Sequence, residues 1–332
     1  MRFGAYSACL HDRPLNEALQ NLKDMGLDSL EVNTGGFIPA PHCHVDLLLA
    51  SEKARTGYLE QINSYGITLT ALNCNGNALS PMPEVGPKHA DDLRRTVKLA
   101  GLLGVKRVVA MSGLPGADAT AKYPTWVVNA WNSIDSDILD YQWSVAVPFW
   151  KEIDELARRW DVKVALELHP QNLVFNTSTF RRLLELTDAT NLGVEMDTSH
   201  LMWQGMDVVE VIRELGEHII IAAAKDVAFG DRGLALNGVL DVDFTRVPAD
   251  AENKTPTGFG TWCNAWPTDY AWRFVAVGKG HGVDYWVEVL KALKAVDSEM
   301  VINVEHEDAE FNRLEGLSLS AQTLLAAAAQ LD

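Results

Sequence analysis

The segment Gly193–Gly205, GVEMDTSHLMWQG, contains the pattern on which the fold prediction rests. It begins as an apolar strand, and the strand ends in a carboxylate, Asp197, with His200 three residues further on. In proteins that alternate strands and helices, open sites are built at the C-terminal ends of parallel strands. An aspartate at this point can also cap the following helix. The rest of the chain decides which interpretation is favoured.

Seven further apolar segments of strand length alternate with helical patterns along the chain. They are Arg2–Ser7, Ser29–Val32, Ile67–Leu72, Arg107–Met111, Lys163–Leu168, Ile219–Ala224 and Met300–Val304. Strands that are apolar throughout are buried on both faces, as in a parallel sheet covered by helices. Eight such units without a break in composition predict an α/β fold, a single (β/α)8 TIM barrel over residues 1–332. Long loops follow the strands, and a rim insertion is expected at about residues 227–280.

Composition limits the possible partners. The chain has 332 residues and a net charge of −17, which argues against binding to nucleic acid or to an anionic membrane surface. No apolar run approaches the roughly 20 residues that span a bilayer, and no secretory pattern begins the sequence. The four cysteines lack paired spacing, so we expect reduced thiols and a cytoplasmic location.

Three predicted strands end in carboxylates that should meet. Side chains alternate along a strand, so Glu167 and His169 share one face, and Glu305 lies on the face opposite His306. At the ends of three barrel strands, Glu167, Asp197 and Glu305 would converge above the barrel. Like charges this close are unfavourable unless they share a proton or a cation. Oxygen ligands suit Mn²⁺ or Mg²⁺, so the sequence predicts a divalent metal site.

Six short segments resemble the xylose-isomerase-like barrel family of sugar and sugar-phosphate isomerases and epimerases. They are ALELHP, GVEMDTSHLMWQG, AAAKD, NGVLD, VGKGHG and VINVEHED. The resemblance implies that Glu167 and Glu305 are both metal ligands and the proton-transferring pair. It implies that Asp197 is a third ligand and that His200 is an accessory ligand or a substrate contact. The family's usual histidine ligand from strand seven corresponds here to Ala223, which cannot ligate. The expected metal is divalent (Mn, Mg, Zn or Co), and the site either holds it with fewer protein ligands, recruits a substitute group or no longer binds it.

Four other residues are predicted to bind substrate. Lys225 has the same strand parity as Ala223, so it should project inward and hold a substrate oxygen or offset charge. His169 stands beside Glu167, and His281 lies between glycines that let the backbone approach a ligand. Trp203 belongs to a set of tryptophans in the predicted rim loops, where aromatic faces suit the apolar side of a sugar ring.

These observations leave three functional hypotheses open. The leading one is a metal-assisted isomerase or epimerase of a sugar or sugar derivative, in which glutamates move a proton next to a carbonyl. The second is a lyase that uses the same acid–base pair for elimination on a keto-glycoside. The third is a non-catalytic sugar-binding barrel that has lost catalysis through Ala223. In each case the expected partner is a small carbohydrate, and we expect a homo-oligomer.

Overall fold

The structure, a computed structural model, describes residues 1–252, 254–258 and 261–331. Its strands are β1 (Arg2–Tyr6), β2 (Ser29–Asn33), β3 (Thr68–Asn73), β4 (Arg107–Met111), β5 (Lys163–Glu167), β6 (Leu192–Asp197), β7 (Ile219–Ala224), β8 (Asp226–Phe229), β9 (Pro256–Gly258), β10 (Thr261–Trp262), β11 (Trp272–Val275) and β12 (Val301–Val304). Its α-helices are α1 (Leu15–Asp24), α2 (Val45–Ala50), α3 (Glu52–Asn63), α4 (Gly86–Leu103), α5 (Ser133–Arg159), α6 (Thr177–Thr187), α7 (Thr198–Trp203), α8 (Val208–Leu215), α9 (Asp231–Asn237), α10 (Val283–Val296) and α11 (Arg313–Ala328).

Eight parallel strands close into a barrel in the order β1–β12–β7–β6–β5–β4–β3–β2. Closure depends on β1, which pairs with β2 on one side and with β12 on the other. At Gly4 the two backbones are so close that an added Cβ would lie 2.1 Å from the carbonyl oxygen of Ser29. The (β/α)8 TIM barrel predicted from the alternating segments is confirmed. Within the described residues, no helix is both long and apolar enough to cross a bilayer.

The barrel interior has an apolar floor and a polar layer above it. The floor consists of small and branched side chains: Ala71, Val109, Ala165, Ile221 and Val301. Two residues further along three of these strands, buried polar groups follow: Asn73, Glu167 and Asn303. There Glu31 accepts hydrogen bonds from Asn73 Nδ2 at 2.7 Å and from Asn303 Nδ2 at 3.1 Å. The Tyr6 hydroxyl lies 3.2 Å from Asn73 Oδ1 in the same layer. A polar layer therefore separates the core from the mouth.

Burial is the main influence on the pKa values of the carboxyl groups in this layer. It raises the pKa of Glu31 to about 7, although the hydrogen bonds from Asn73 and Asn303 oppose the rise. Burial, reinforced by neighbouring carboxylates that include Glu31, also raises the pKa of Glu195 well above its ordinary value. A buried carboxyl in a low-dielectric interior favours its neutral form. This layer can therefore hold protons below the mouth at near-neutral pH.

The rim insertion begins directly after β7. Its strands β8 and β11 pair antiparallel, with Val275 opposite Asp226 and Trp272 opposite Phe229. Helix α9 and the short pair β9–β10 lie between them in the chain. Because β11 returns beside β8, the insertion leaves and re-enters the barrel at nearly the same place. Phe274 of β11 thereby lies at the mouth, beside Lys225 and His200.

Candidate active site

Three carboxylates meet at the C-terminal mouth of the barrel. Glu167 ends β5, Asp197 ends β6, and Glu305 directly follows β12. One oxygen from each lies within 4.8 Å of the other two. The side chain of Glu305 is 14% exposed, whereas Glu167 and Asp197 are fully buried. The structure thus brings together the three acidic residues singled out in the sequence, and places them where open barrel sites are found.

Asp197 serves two purposes in this arrangement. Its Oδ1 caps α7 by accepting hydrogen bonds from the backbone N–H of Ser199 at 2.8 Å and from the Ser199 hydroxyl at 2.7 Å. The cap fixes the carboxylate so that Oδ2 faces the cluster. His200, one residue further along α7, places its Nε2 3.4 Å from that oxygen and 3.1 Å from Glu167 Oε1. Asp197 therefore caps α7 with one oxygen and turns the other toward Glu167 and His200.

His169 and His200 form the second side of the cluster. Their ring centroids are 3.9 Å apart, and Glu167, His169 and His200 offer ligand atoms within 4.8 Å of one another. Burial lowers the pKa of each histidine to about 4. Both imidazoles are therefore neutral at pH 7, and a neutral imidazole carries the lone pair that a metal ligand or a hydrogen-bond acceptor needs.

Lys225 is the cation of the site. It is buried, and its Nζ lies 3.0 Å from Glu305 Oε2, 2.7 Å from Glu307 Oε2 and 3.9 Å from Asp197 Oδ2. Burial disfavours the ammonium most strongly, but the surrounding carboxylates, Glu305 and Glu307 foremost, together outweigh burial and raise the pKa of Lys225 well above its ordinary value. Burial likewise raises the pKa of Glu305, against the opposing effect of Lys225. The ammonium remains charged and offsets part of the negative cluster.

Phe274, from strand β11 of the insertion, covers the site from above. The Lys225 ammonium lies 4.4 Å from the centroid of its ring, and the His200 ring meets it edge-on at 5.5 Å. Trp272, two residues earlier, stacks on Trp203 with centroids 4.5 Å apart and an interplanar angle of 4°. Since Trp203 is buried and this face is covered by Trp272, the structure does not leave it open to a sugar ring, contrary to the expectation from the sequence.

His281 is held away from the carboxylates. Its Nδ1 lies 2.7 Å from Asp226 Oδ1, and its backbone N–H donates to Asp226 Oδ2 at 2.9 Å. Asp226 follows Lys225 in the chain, and adjacent residues of an extended segment point to opposite sides. The structure therefore joins His281 to the outward-facing residue. These contacts fix the rim loop and tie the His281 side chain to Asp226, so the structure does not place it among the cluster residues that the sequence predicted it would join.

Asn75, Glu307 and Phe274 adjoin the cluster but were not among the residues selected from the sequence. Asn75 donates from Nδ2 to Glu167 Oε2 at 2.6 Å and so orients that carboxylate. It lies two residues beyond the end of β3, with the parity of Asn73, so strand alternation could have identified it. Phe274 carried no comparable signal, because its position depends on how the insertion folds back over the barrel.

The donor set fits a divalent cation. Asp197 Oδ2 and both ring nitrogens of His200 are buried and make no well-formed hydrogen bond among the residues that the structure describes, although His200 Nε2 lies 3.1 Å from Glu167 Oε1. Buried polar atoms are normally paired, so these atoms are available to a cation. Ala223 lies opposite Asp197 in the register of β6 and β7 and offers no ligand atom there. The available ligands are thus carboxylate oxygens and a neutral imidazole, which suit Mn²⁺, Mg²⁺ or Zn²⁺.

Comparison with known proteins agrees with this architecture. The chain is 35% identical over 328 residues to the uncharacterized protein YfiH of Bacillus subtilis (strain 168), covering 98% of each. The fold is similar to that of 3-keto-D-glucoside 4-epimerase YcjR from E. coli, with a TM-score of 0.63, 12% identity and 99% of each chain covered. It is also similar to the IOLI protein with a bound zinc atom, with a TM-score of 0.60, 18% identity and 99% of each chain covered. A sequence profile described as xylose isomerase-like TIM barrel matches residues 19–327, and the chain belongs to that family.

Proposed function

We propose that this protein is a metal-assisted isomerase or epimerase of a sugar or sugar derivative. The observation that carries the proposal is the meeting of Glu167, Asp197 and Glu305 within 4.8 Å at the barrel mouth. Two glutamates on different strands can act on one small substrate from different directions. The resemblance of the fold to a keto-glucoside epimerase supports a carbohydrate as the substrate.

The metal would be held by Glu167, Asp197 and Glu305, which offer oxygens within 4.8 Å of one another, and by His200, whose Nε2 lies 3.1 Å from Glu167 Oε1. When bound there, a divalent cation supplies Lewis-acid polarisation of a substrate carbonyl and its neighbouring hydroxyl. It also offsets the repulsion among the carboxylates. Lys225 supplies one positive charge in the same place and so offsets part of the same repulsion.

The proton transfer belongs to the two glutamates. One removes a proton from the carbon next to the carbonyl, and the other returns a proton to the opposite face of that carbon or to the adjacent carbon. Asn75 keeps Glu167 in a fixed orientation. The Lys225 ammonium can stabilise negative charge that develops on a substrate oxygen. Phe274 closes the site above these groups and excludes water from the reacting carbon.

A second candidate function is elimination from a keto-glycoside. The aromatic groups of the insertion favour it, because Phe274 and Trp266 meet edge-on with centroids 5.9 Å apart beside the cluster and could contact an aglycone. The same glutamates would then remove a proton and protonate the departing oxygen. The non-catalytic sugar-binding hypothesis rests on Ala223 and predicts sugar binding without proton exchange.

One experiment separates the three possibilities. The metal-loaded protein is incubated in D₂O with a panel of aldoses, ketoses and 3-keto-glycosides and followed by NMR. An isomerase or epimerase incorporates deuterium next to the carbonyl and yields a new sugar, whereas a lyase releases the aglycone. Glu167→Gln is the control for exchange that does not depend on the enzyme. A sugar that binds without exchange or release would contradict the catalytic proposal and support a binding protein.

A further inference from the structure

The ammonium of Lys225 is enclosed at the barrel mouth. The side chain is 3% exposed, and the backbone carbonyl oxygen of Lys225 accepts a hydrogen bond from the Thr198 hydroxyl at 2.7 Å, which fixes the chain just after β7. Phe274 lies above the ammonium, with its ring centroid 4.4 Å from Nζ. Taking an ammonium out of water without an opposing charge is strongly unfavourable. The charge of Lys225 must therefore be balanced by carboxylates inside the mouth.

Three carboxylates share this ammonium, and they differ in what else they can bind. Nζ lies 2.7 Å from Glu307 Oε2, 3.0 Å from Glu305 Oε2 and 3.9 Å from Asp197 Oδ2. Asp197 and Glu305 belong to the group of carboxylates whose oxygens can converge on one cation. Glu307 is outside that group, and its side chain is 53% exposed. The closest partner of Lys225 is therefore a carboxylate that the proposed metal does not use.

A divalent cation and Lys225 would draw on the same carboxylates. Like charges repel more strongly in a buried site than in water, because the effective dielectric constant is lower there. A metal bound to Asp197 and Glu305 would thus weaken the pairing of the ammonium with both residues. The enclosure of the side chain opposes a move of the ammonium into solvent. Of its three partners, Glu307 then remains to balance the charge.

We propose that Glu307 is a positioning residue of the metal site, which holds the Lys225 ammonium beside the metal ligands and keeps it from competing with the metal. The inference rests on the proposed function, because it requires a cation at Glu167, Asp197 and Glu305. When the cation is bound, Glu307 balances most of the ammonium charge, and Asp197 and Glu305 serve the metal. Lys225 then stays at the mouth, where its N–H groups can reach a substrate oxygen.

The two members of this pair should change metal affinity in opposite directions. Removing the ammonium removes the competitor, so the metal should bind more tightly. Removing the Glu307 carboxylate leaves the ammonium dependent on Asp197 and Glu305, so the metal should bind more weakly. A carboxylate that acted on the metal only through its own charge would have the same effect whether or not Lys225 is present. Dependence on Lys225 therefore distinguishes positioning from a direct effect of charge.

The first test is a calorimetric titration of the metal-free protein with Mn²⁺, repeated with Zn²⁺. We expect Kd to fall about tenfold in Lys225→Met and to rise about tenfold in Glu307→Gln, since residues in contact typically couple by amounts of this order. The double variant should match Lys225→Met. Glu310→Gln is the matched control, because Glu310 is an exposed carboxylate on the same loop and pairs with Arg273 at 2.8 Å. Its Kd should equal that of the wild type.

The titrations separate this inference from the function beneath it. If Glu307→Gln leaves Kd unchanged, or raises it equally with and without Lys225, the positioning role is overturned. A Lys225→Met variant that binds metal no more tightly than the wild type overturns it as well. If the wild type binds neither ion, the metal-assisted function itself is refuted, and the inference that rests on it is refuted too.

The second test uses the wild-type protein and does not depend on how well a variant folds. Crystal structures with and without Mn²⁺ should both show the Lys225 ammonium within hydrogen-bond distance of Glu307. In the Mn²⁺ complex, Nζ should lie further from Asp197 Oδ2 than in the metal-free crystal. An ammonium that leaves Glu307 when Mn²⁺ binds, or that moves toward Asp197, would refute the proposed arrangement.

Discussion

Lys225 and Glu305 form an ion pair at the mouth of the barrel, with Nζ 3.0 Å from Oε2. The same ammonium lies 3.9 Å from Asp197 Oδ2, an oxygen that the proposed metal would use. Lysine and metal ion therefore act on the same carboxylates. Because Ala223 supplies no ligand, fewer residues would hold the metal. The stability of the carboxylate cluster should therefore depend more on the charge of Lys225 than it would beside a complete ligand set.

Replacing Lys225 by methionine should show how strongly the stability of the protein depends on this charge. The change leaves buried carboxylates without their cation, and removing one partner of a buried pair typically costs about 3–5 kcal/mol. We expect a decrease of that order in the free energy of unfolding of the metal-free protein, measured in urea. Added Mn²⁺ should stabilise the variant more than the wild type. Lys291→Met, which removes an exposed partner of Glu288, is the control and should change little. Equal stability of Lys225→Met and wild type would contradict the assigned role.

Glu167→Gln and Glu305→Gln should each abolish proton exchange. A positioned acid or base contributes typically 10²–10⁴-fold to the rate, so we expect kcat to fall by at least about 100-fold. The fold should persist, because the amide is isosteric and the barrel core is unchanged. Glu288→Gln, on the surface of α10, is the control. Deuterium exchange by NMR measures the effect, and rates near those of the wild type in either variant would refute the proposed pair.

Asp197→Asn should weaken metal binding more than it weakens the fold. The asparagine carbonyl can still accept the cap from Ser199, but it lacks the negative charge of Oδ2. We expect the loss of one ligand charge to raise the Kd for Mn²⁺, measured by calorimetry, by about 10-fold or more. A tenfold change corresponds to roughly 1.4 kcal/mol of binding free energy. Ala223→His should act in the opposite direction by adding a ligand. Unchanged affinity in Asp197→Asn would place the metal elsewhere.

Phe274→Ala tests whether the insertion belongs to the site. An aromatic contact of this kind is worth about 0.5–1.5 kcal/mol, so we expect KM to rise up to about tenfold, with a smaller effect on kcat. Phe244→Ala is the matched control, since Phe244 lies in the same insertion and packs on Trp266. Steady-state kinetics with the substrate found in the D₂O screen provide the comparison. Equal effects of the two substitutions would indicate general loosening of the insertion.

Glu31→Gln should alter the dependence of stability on pH. The folded protein keeps the Glu31 proton up to a pKa of about 7, whereas the ordinary value is 4.5. Native Glu31 therefore becomes destabilising as pH rises from about 4.5 to 7, by an amount on the order of 3 kcal/mol when complete. Glu31→Gln cannot ionise, so its stability relative to the wild type should increase across that window.

Urea unfolding of metal-free protein at pH 4.5, 6 and 7.5 measures this difference. Both oxygens of the Glu31 carboxyl group accept a hydrogen bond, whereas the glutamine nitrogen cannot accept one, so the variant should be the less stable protein at the acidic end, where Glu31 is neutral. Glu299→Gln, at an exposed position, is the control and should parallel the wild type. A stability difference between Glu31→Gln and wild type that does not change with pH would contradict the raised pKa.

The fold and the centre of the site could be predicted because both follow from period-two alternation. The apolar strands predicted a buried parallel sheet, and parity alone directed Glu167, Glu305 and Lys225 to the inside of the barrel. The structure shows all three there. Strand identity and side-chain direction are local properties, so the sequence around each residue was sufficient.

The rest depends on contacts between distant segments. The sequence predicted that Trp203 and His281 lie in rim loops and bind substrate. Their contacts are instead made with Trp272 and Asp226, which lie far from them in the chain. Phe274 reaches the site only because β11 pairs with β8. Which faces of the rim remain open is decided by this tertiary pairing, and no pattern near those residues encodes it.

Asp226 binds both ends of the insertion together. It begins β8, and its Oδ2 accepts hydrogen bonds from the backbone N–H groups of Gly278 at 3.0 Å and Gly280 at 3.1 Å, where the insertion ends. The segment between therefore starts and ends at one point of the barrel rim, where Asp226 and the pairing of β8 with β11 hold it. We expect that its length can change without strain on the barrel, and that Glu167 and Glu305 beneath it then keep their positions.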